Sequence, residues 1–391
     1  MIAPTTGLLD RLARPSVAVL GARWSSFKLL GFLGAALGIA LAIWLASQRG
    51  LSVLTVAIVS AVALGLAVAL YAVTWKLAGT QRLVFYRYQV VILLGVAAAL
   101  WLLGRPVGAY LDLAILGLGA FLIAGRLGCF MVGCCHGIPH HHGVAYGDRH
   151  VRTGFPPHLE HVRLVPVQAI ESLWVLAMAV AGAIAFARGS EPGWLLISWL
   201  QLYGLARFHL ELLRGDAARR HLGGFSEAQW TSLVLMAVSV VAGIAGWLPL
   251  HPWHVALALI IALEMLATAA RRALGTGAHL LSHPRHVDQL AQLVFELDRA
   301  PDMRDTLVGT TSLGISLSMA RGDDPATRLF TLSRPGAELP GRDVSTLVRW
   351  LTHLGRFSGK PELHVRDSGV VHVIFSQRPE AAVDAAGPPT A

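Results

Sequence analysis

Two arginines embedded in apolar sequence are the residues best placed to do chemistry. Arg126 lies in Gly125-Arg126-Leu127-Gly128-Cys129-Phe130, where a long apolar run ends. Arg207 lies in Tyr203-Gly204-Leu205-Ala206-Arg207-Phe208-His209-Leu210-Glu211-Leu212-Leu213-Arg214. A guanidinium at the edge of hydrocarbon is costly unless it holds an anion. Each one offers a planar fork that matches phosphate or carboxylate oxygens. Tyr203, Arg207, Glu211 and Arg214 step by four, four and three, so a helix would carry them as one polar stripe. Arg207 and Glu211 can pair within it, which lowers the cost of burying both. Gln168 and Glu171, three apart at the start of another apolar run, share a helix face too. The chemistry implied is the holding of an anion, phosphate above all, at the rim of an apolar phase.

A second group is thiol-rich. Cys129, Cys134 and Cys135, the three cysteines of the chain, fall within seven positions, and His136 follows directly. His140, His141, His142, His150, His158 and His161 come after. Three cysteines make no disulfide framework. Zinc sites pair ligands two to four apart with a second pair further on, whereas here the spacing is irregular and no CxxC occurs. Reactive thiols, metal ligands and small apolar packers all remain open readings. His140–His142 are expected as solvated loop residues, and neither a metal nor a cofactor is expected. Tyr86 and Tyr88, in a polar interlude over 76–89, are interfacial anchors or the wall of a headgroup site.

The elements that must position these groups are membrane helices. The chain is 54% hydrophobic and only 14% charged, against about 25% charged for a soluble domain. A span needs about 20 mostly apolar residues. Eight runs approach this: 27–46, 52–73, 89–103, 111–130, 167–186, 194–213, 232–248 and 253–270. The expected fold is an all-α polytopic membrane bundle of seven or eight spans with a small C-terminal soluble α+β domain. Residues 1–26 read as a basic lead-in, not a cleavable signal peptide. Residues 27–272 read as the membrane domain and 283–378 as the α+β domain, in the order αββαββ. Residues 379–391 read as a disordered tail. Ser226 and Gln229 form a capping-box pattern ahead of the seventh run. The net charge of +9 does not signal nucleic acid, because no basic face interleaved with aromatics accompanies it; lipid phosphates are the natural counterions.

From about Leu83 to Leu248 the chain resembles the prolipoprotein diacylglyceryl transferases. Gly125–Phe130 corresponds to that family's Gly-Arg-hydrophobic-Gly-Asn-Phe motif, and Gly133-Cys134 to its Asn-Gly-Glu. Pro166–Glu171 corresponds to its Pro-Ser-Gln-Leu-Tyr-Glu, and Tyr203–Arg214 to its Tyr-Gly…Arg-Phe…Glu…Arg helix. The family's asparagine is Cys129 here, its glutamate is Cys134, and Tyr86-Arg87-Tyr88 stands where it has His-Gly-Gly. The chain thus looks like a divergent, cysteine-bearing branch. The resemblance implies transfer of a diacylglyceryl group from phosphatidylglycerol to the lipobox cysteine thiol of a precursor protein, in a bacterial inner (plasma) membrane. It implies catalytic roles for Arg126, Arg207 and Glu211, with His136 standing in for the absent histidine. It implies substrate contacts for Tyr86, Cys129, Cys134, Gln168, Glu171, Tyr203 and Arg214.

Two other classes compete: a thiol- or metal-dependent membrane enzyme using the Cys/His cluster, and a catalytically inactive lipid-binding sensor coupled to the C-terminal domain. Sidedness also divides. The family's topology puts the loop after Arg126 on the outer face. Positive-inside counting puts the arginine-rich end, with Arg11, Arg14, Arg149, Arg152 and Arg163, in the cytoplasm.

Overall fold

The computed structural model describes residues 7–78, 85–275, 277–299, 307–321, 327–355, 361–366 and 368–376. In a bilayer the backbone must satisfy its own hydrogen bonds, so apolar runs become helices. Each of the eight runs does: α1 (Ser26–Gln48), α2 (Val53–Ala78), α3 (Phe85–Leu102), α4 (Val107–Val132), α5 (Val167–Ala187), α6 (Trp194–Leu210), α7 (Glu227–Ile244) and α8 (Pro252–Leu274). Seven of these are long and apolar enough to cross a membrane. The exception, α6, has 17 residues, or about 26 Å of rise, and extends through a 3-10 turn at Glu211–Leu213.

Two boundaries differ from expectation in a useful way. Helix α3 begins before position 89, so Tyr86 and Tyr88 lie on a helix and not in a polar interlude. Helix α7 begins at Glu227 because the capping box forms: Ser226 Oγ accepts from the Gln229 amide at 3.3 Å, and Gln229 Oε1 accepts from the Ser226 amide at 3.0 Å. Gln81 and Arg82 of the interlude lie outside the described residues.

Helix α4 is the hub of the bundle. It meets α1 closely enough that a Cβ on Gly38 would stand 2.5 Å from the Gly117 carbonyl oxygen, and one on Gly34 would stand 2.7 Å from Ala124 Cβ. Small residues let the two backbones approach, as membrane helix contacts require. Gly125 is different: no atom lies within 4 Å of where its Cβ would be, and it lines an open cavity.

Eight alternating helices gather several segments at one end. A hairpin of β1 (Ser16–Val19) and β2 (Ala22–Ser25) leads into α1. The segment after α4, expected as a long loop, instead builds a small core of Val144, Tyr146, Phe155 and Leu164. It includes β3 (Pro139–Ala145) paired with β4 (Arg163–Leu164). A hairpin of β5 (His221–Leu222) and β6 (Phe225–Ser226) precedes α7.

The C-terminal unit follows at the same end. It comprises α9 (Pro284–Arg299), β7 (Val308–Thr310), β8 (Ser316–Arg321), β9 (Thr327–Ser333), α10 (Gly341–Gly355), β10 (Glu362–Val365) and β11 (Val371–Ser376). Its sheet is antiparallel, in the order β10-β11-β9-β8-β7. The order is αβββαββ, one strand more than expected; β7 has three residues, too few to show alternation. This unit docks on the segment after α4: His158 Nε2 meets Asp288 Oδ1 at 2.7 Å, and the two share one apolar core. His140, His141 and His142, expected as solvated loop residues, lie on β3 instead, with His141 and His142 exposed as expected; His140 and His141 stack on His353 of α10 at 5.8 and 5.5 Å. The tail expected over 379–391 lies outside the described residues.

Candidate functional site

Glu171 sits at the centre of the polar cluster. Helix α5 places it one turn in, 1% exposed, between α4 and α6. Its Oε2 faces Arg126 Nε at 3.0 Å and Arg207 Nη1 at 3.7 Å. Its Oε1 accepts a hydrogen bond from the Tyr203 hydroxyl at 2.8 Å. Arg207 Nη2 pairs with Glu211 Oε2 at 2.8 Å, one turn along the same helix. Gln168, on the face of Glu171, donates to the Cys134 carbonyl at 2.7 Å and so ties the thiol segment to α5. Tyr86, on α3, meets Ser232 Oγ at 2.7 Å and packs edge-on against Tyr203.

Two members of the cluster went unread in the sequence. Arg219 pairs with Glu211 and, through Nε, with Asp216 Oδ1 at 3.2 Å. Asp216 also accepts a two-pronged contact from Arg214, at 3.0 and 3.1 Å. Both residues belong to the connector after α6, where charge is ordinarily solvated. Here the connector folds back: the Gly215 amide donates to the His136 carbonyl at 3.0 Å, and the Ile138 amide donates to the Leu213 carbonyl at 2.9 Å. Mixed charges at Asp216 and Arg219, directly after a stripe that ends on Arg214, are the signal that could have found them.

The charges do not cancel. Arg126, Arg207, Arg214 and Arg219 face Glu171, Glu211 and Asp216, so four cations meet three anions and one positive charge is left over. Burial, then the neighbouring Arg207, pull Arg219 down to about 10, which leaves it charged at neutral pH. Arg126 is the least committed cation. Among the described residues its guanidinium makes no hydrogen bond, Nε meeting Glu171 only as an ion pair, and it lines the cavity.

That cavity measures about 1660 Å³, beyond the roughly 300–1,000 Å³ of a drug-sized site. Its shape is that of an amphiphile. Val56, Val59, Ile92 and Leu113 line one part; Arg126, Arg207, Glu211, Arg214 and Arg219 line the other. Tyr86, Tyr203, Cys129, Cys134 and Cys135 also border it.

His136 is placed elsewhere. It is buried outside the cavity wall, with Nδ1 at 3.0 Å from the Gly137 carbonyl and its ring against Phe155. Burial pushes its pKa down, so it is neutral at pH 7. Gln168 and Glu171 stand behind the wall as well, holding the groups that form it. Cys135 lies just beyond the end of α4. Hydrogen bonds from Cys129 and Cys134, then Arg214 and Arg126, hold it well below the ordinary thiol range.

Fold and site together define a multi-pass helical membrane protein with a lipid-sized cavity capped by arginines. The resemblance read from the motifs holds in comparison: the model of the family described as prolipoprotein diacylglyceryl transferase matches residues 90–245. The phosphatidylglycerol–prolipoprotein diacylglyceryl transferase of Clostridium tetani is 28% identical over 116 residues, covering 30% of this chain and 45% of the relative. The transferase of the same description from Dehalococcoides mccartyi is 28% identical over 154 residues, covering 38% and 56%. The chain thus spans about half the length of these relatives. No solved structure gives a significant match. The match covers most of α3, all of α4 to α7 and both arginines; the C-terminal unit lies outside it.

Proposed function

We propose that this protein transfers the diacylglyceryl group of phosphatidylglycerol to the thiol of a lipobox cysteine in a precursor protein, within a bacterial inner (plasma) membrane. The observation that carries the reading is the Arg126 guanidinium, held by Glu171 through Nε alone, beside Arg207 among the polar residues of a largely apolar cavity.

The reaction's charge balance suits that site. The acceptor sulfur attacks the terminal glycerol carbon of the diacylglyceryl group and the carbon–oxygen bond to phosphate breaks. The thiol proton is lost to solvent, and glycerol phosphate departs carrying one more negative charge than the diester had. Fixed guanidinium donors aimed at the phosphate stabilise charge that develops only as the bond breaks. The surplus positive charge of the cluster is what such a headgroup would neutralise. Glu171 and Tyr203 hold Arg126 and Arg207 in position, and Glu211 does the same for Arg207 and Arg219. His136 takes no step in this scheme, because it lies off the cavity wall.

The test is transfer itself. Purified full-length protein in phosphatidylglycerol vesicles, given a lipobox peptide, is expected to yield diacylglyceryl peptide and free glycerol phosphate in equal amounts. Stable lipid binding with neither product would overturn the proposal in favour of a lipid sensor.

A further inference from the structure

Cys129 is the one thiol of α4 and is buried, and the chain then turns sharply enough to bring two more thiols back onto it. Gly133 ends the helix at φ 77°, and Cys135 follows at φ 55°. The left-handed region is uncommon and strained for a residue with a side chain, and such strain concentrates at ligand-holding sites. Its result is a convergence: the sulfurs of Cys129, Cys134 and Cys135 lie within 4.8 Å of one another, and among the described residues this is the one group of His, Cys, Asp or Glu so arranged. Gln168 clamps the turn through the Cys134 carbonyl at 2.7 Å.

We propose that Cys129, Cys134 and Cys135 form a three-thiolate site for a thiophilic d10 cation, zinc in the first instance, with its fourth position open to the cavity. The dimensions fit. Zinc–sulfur bonds of about 2.3 Å put neighbouring thiolates about 4 Å apart, so the trio closes on an ion by small side-chain movement. The charge fits: three thiolates around a divalent cation leave one net negative charge, which the surplus positive charge of the arginine cluster offsets while no lipid headgroup occupies it. The donor set fits, since soft thiolates select zinc or copper(I) over magnesium or calcium. A position is left free, because the chain supplies three sulfurs and all three residues border the cavity. Three protein ligands with one exchangeable position is the arrangement of a reactive metal and not of a closed structural one. The irregular sequence spacing, read alone, argued against a metal; the turn at Gly133–Cys135 removes that objection.

Metal binding is measured without lipid, so its failure and failure of the transferase reading are separate results. Full-length reduced protein is loaded with zinc, desalted and analysed for metal; a parallel sample takes cobalt(II). About one zinc per chain is expected, with thiolate-to-cobalt charge-transfer absorption that vanishes in Cys129→Ser and Cys135→Ser. A His140→Ala/His141→Ala/His142→Ala variant is expected to keep both signals. The unaltered protein supplies a check that needs no variant: zinc should slow maleimide labelling of its thiols by about tenfold or more, because the free thiolate is the reacting species. Absence of thiolate-to-cobalt absorption overturns the proposal. So does zinc that survives both serine variants but is lost with the three histidines, or labelling indifferent to zinc.

Discussion

Buried charge occurs at both ends of this bundle, and the two ends treat it differently. At the far end Asp112, on α4, is 1% exposed. It accepts hydrogen bonds from the amides of Gly193 and Leu196 at 2.7 and 2.8 Å. Those amides open α6, so one carboxylate caps the first turn of a helix that has no cap of its own. Asp112 itself is not among the residues that line the large cavity. At the near end four guanidinium groups meet three carboxylates, one positive charge is in excess, and Arg126 borders an open cavity. The contrast separates two uses of the same expensive ingredient. A buried charge whose partners are complete builds the fold, and a cluster left in surplus next to a cavity awaits a ligand.

That contrast can be broken by mutation. Arg126→Ala is expected to reduce transfer per folded molecule by about 10²-fold or more, the usual scale for loss of a preorganised donor, beyond any fall in melting midpoint from leaving Glu171 to Arg207 and Tyr203 alone. Asp112→Ala should do the opposite. It strands two buried amides at a cost of about 1–3 kcal/mol, visible as a lower melting midpoint, while turnover per folded molecule is retained. If Arg126→Ala proved mainly destabilising and Asp112→Ala mainly inactivating, the assignment of roles would be reversed.

A smaller effect sharpens the near end. Tyr203→Phe removes the hydroxyl that holds Glu171 and should cost about 1 kcal/mol, read as a rate decrease near fivefold with lipid affinity little changed. The smallest effect concerns the docked C-terminal unit. Burial, then His140 and His141, pushes His353 down to about 4, below the ordinary histidine value of about 6.5. The docked state therefore binds fewer protons than the undocked one. Docking is favoured above about pH 6.5 and is lost progressively as pH falls towards 4. Limited proteolysis between α8 and α9 should accelerate over that window, and His353→Phe should flatten the response.

Sidedness follows from the same arrangement. The lead-in hairpin, the thiol segment and the C-terminal unit gather at one end, so an impermeant thiol reagent at Cys134 and a protease acting on the C-terminal unit should work from the same face. Labelling from opposite faces would contradict the eight-helix alternation.

Much of the scaffold was legible in the sequence, because its signals are local. Eight apolar runs became eight helices, since hydrocarbon forces a backbone to bond within itself. The capping box at Ser226 and Gln229 formed where its spacing placed it. The stripe of Tyr203, Arg207 and Glu211 ended on one face, because helical periodicity is intrinsic to the chain, whereas Arg214, expected on the same helix, lies past the 3-10 turn in extended backbone. What lies between elements was not legible. Nothing local says that Glu171 serves two arginines from two other helices, that Arg219 and Asp216 fold back from a connector, or that His136 turns away from the cavity. The three thiols had irregular spacing until a left-handed turn gathered them. Sequence determined where this chain could cross a membrane and which side chains it would carry there. The rotation of each helix about its axis and the path of each connector decided which charges met, and those are settled by packing across the whole bundle.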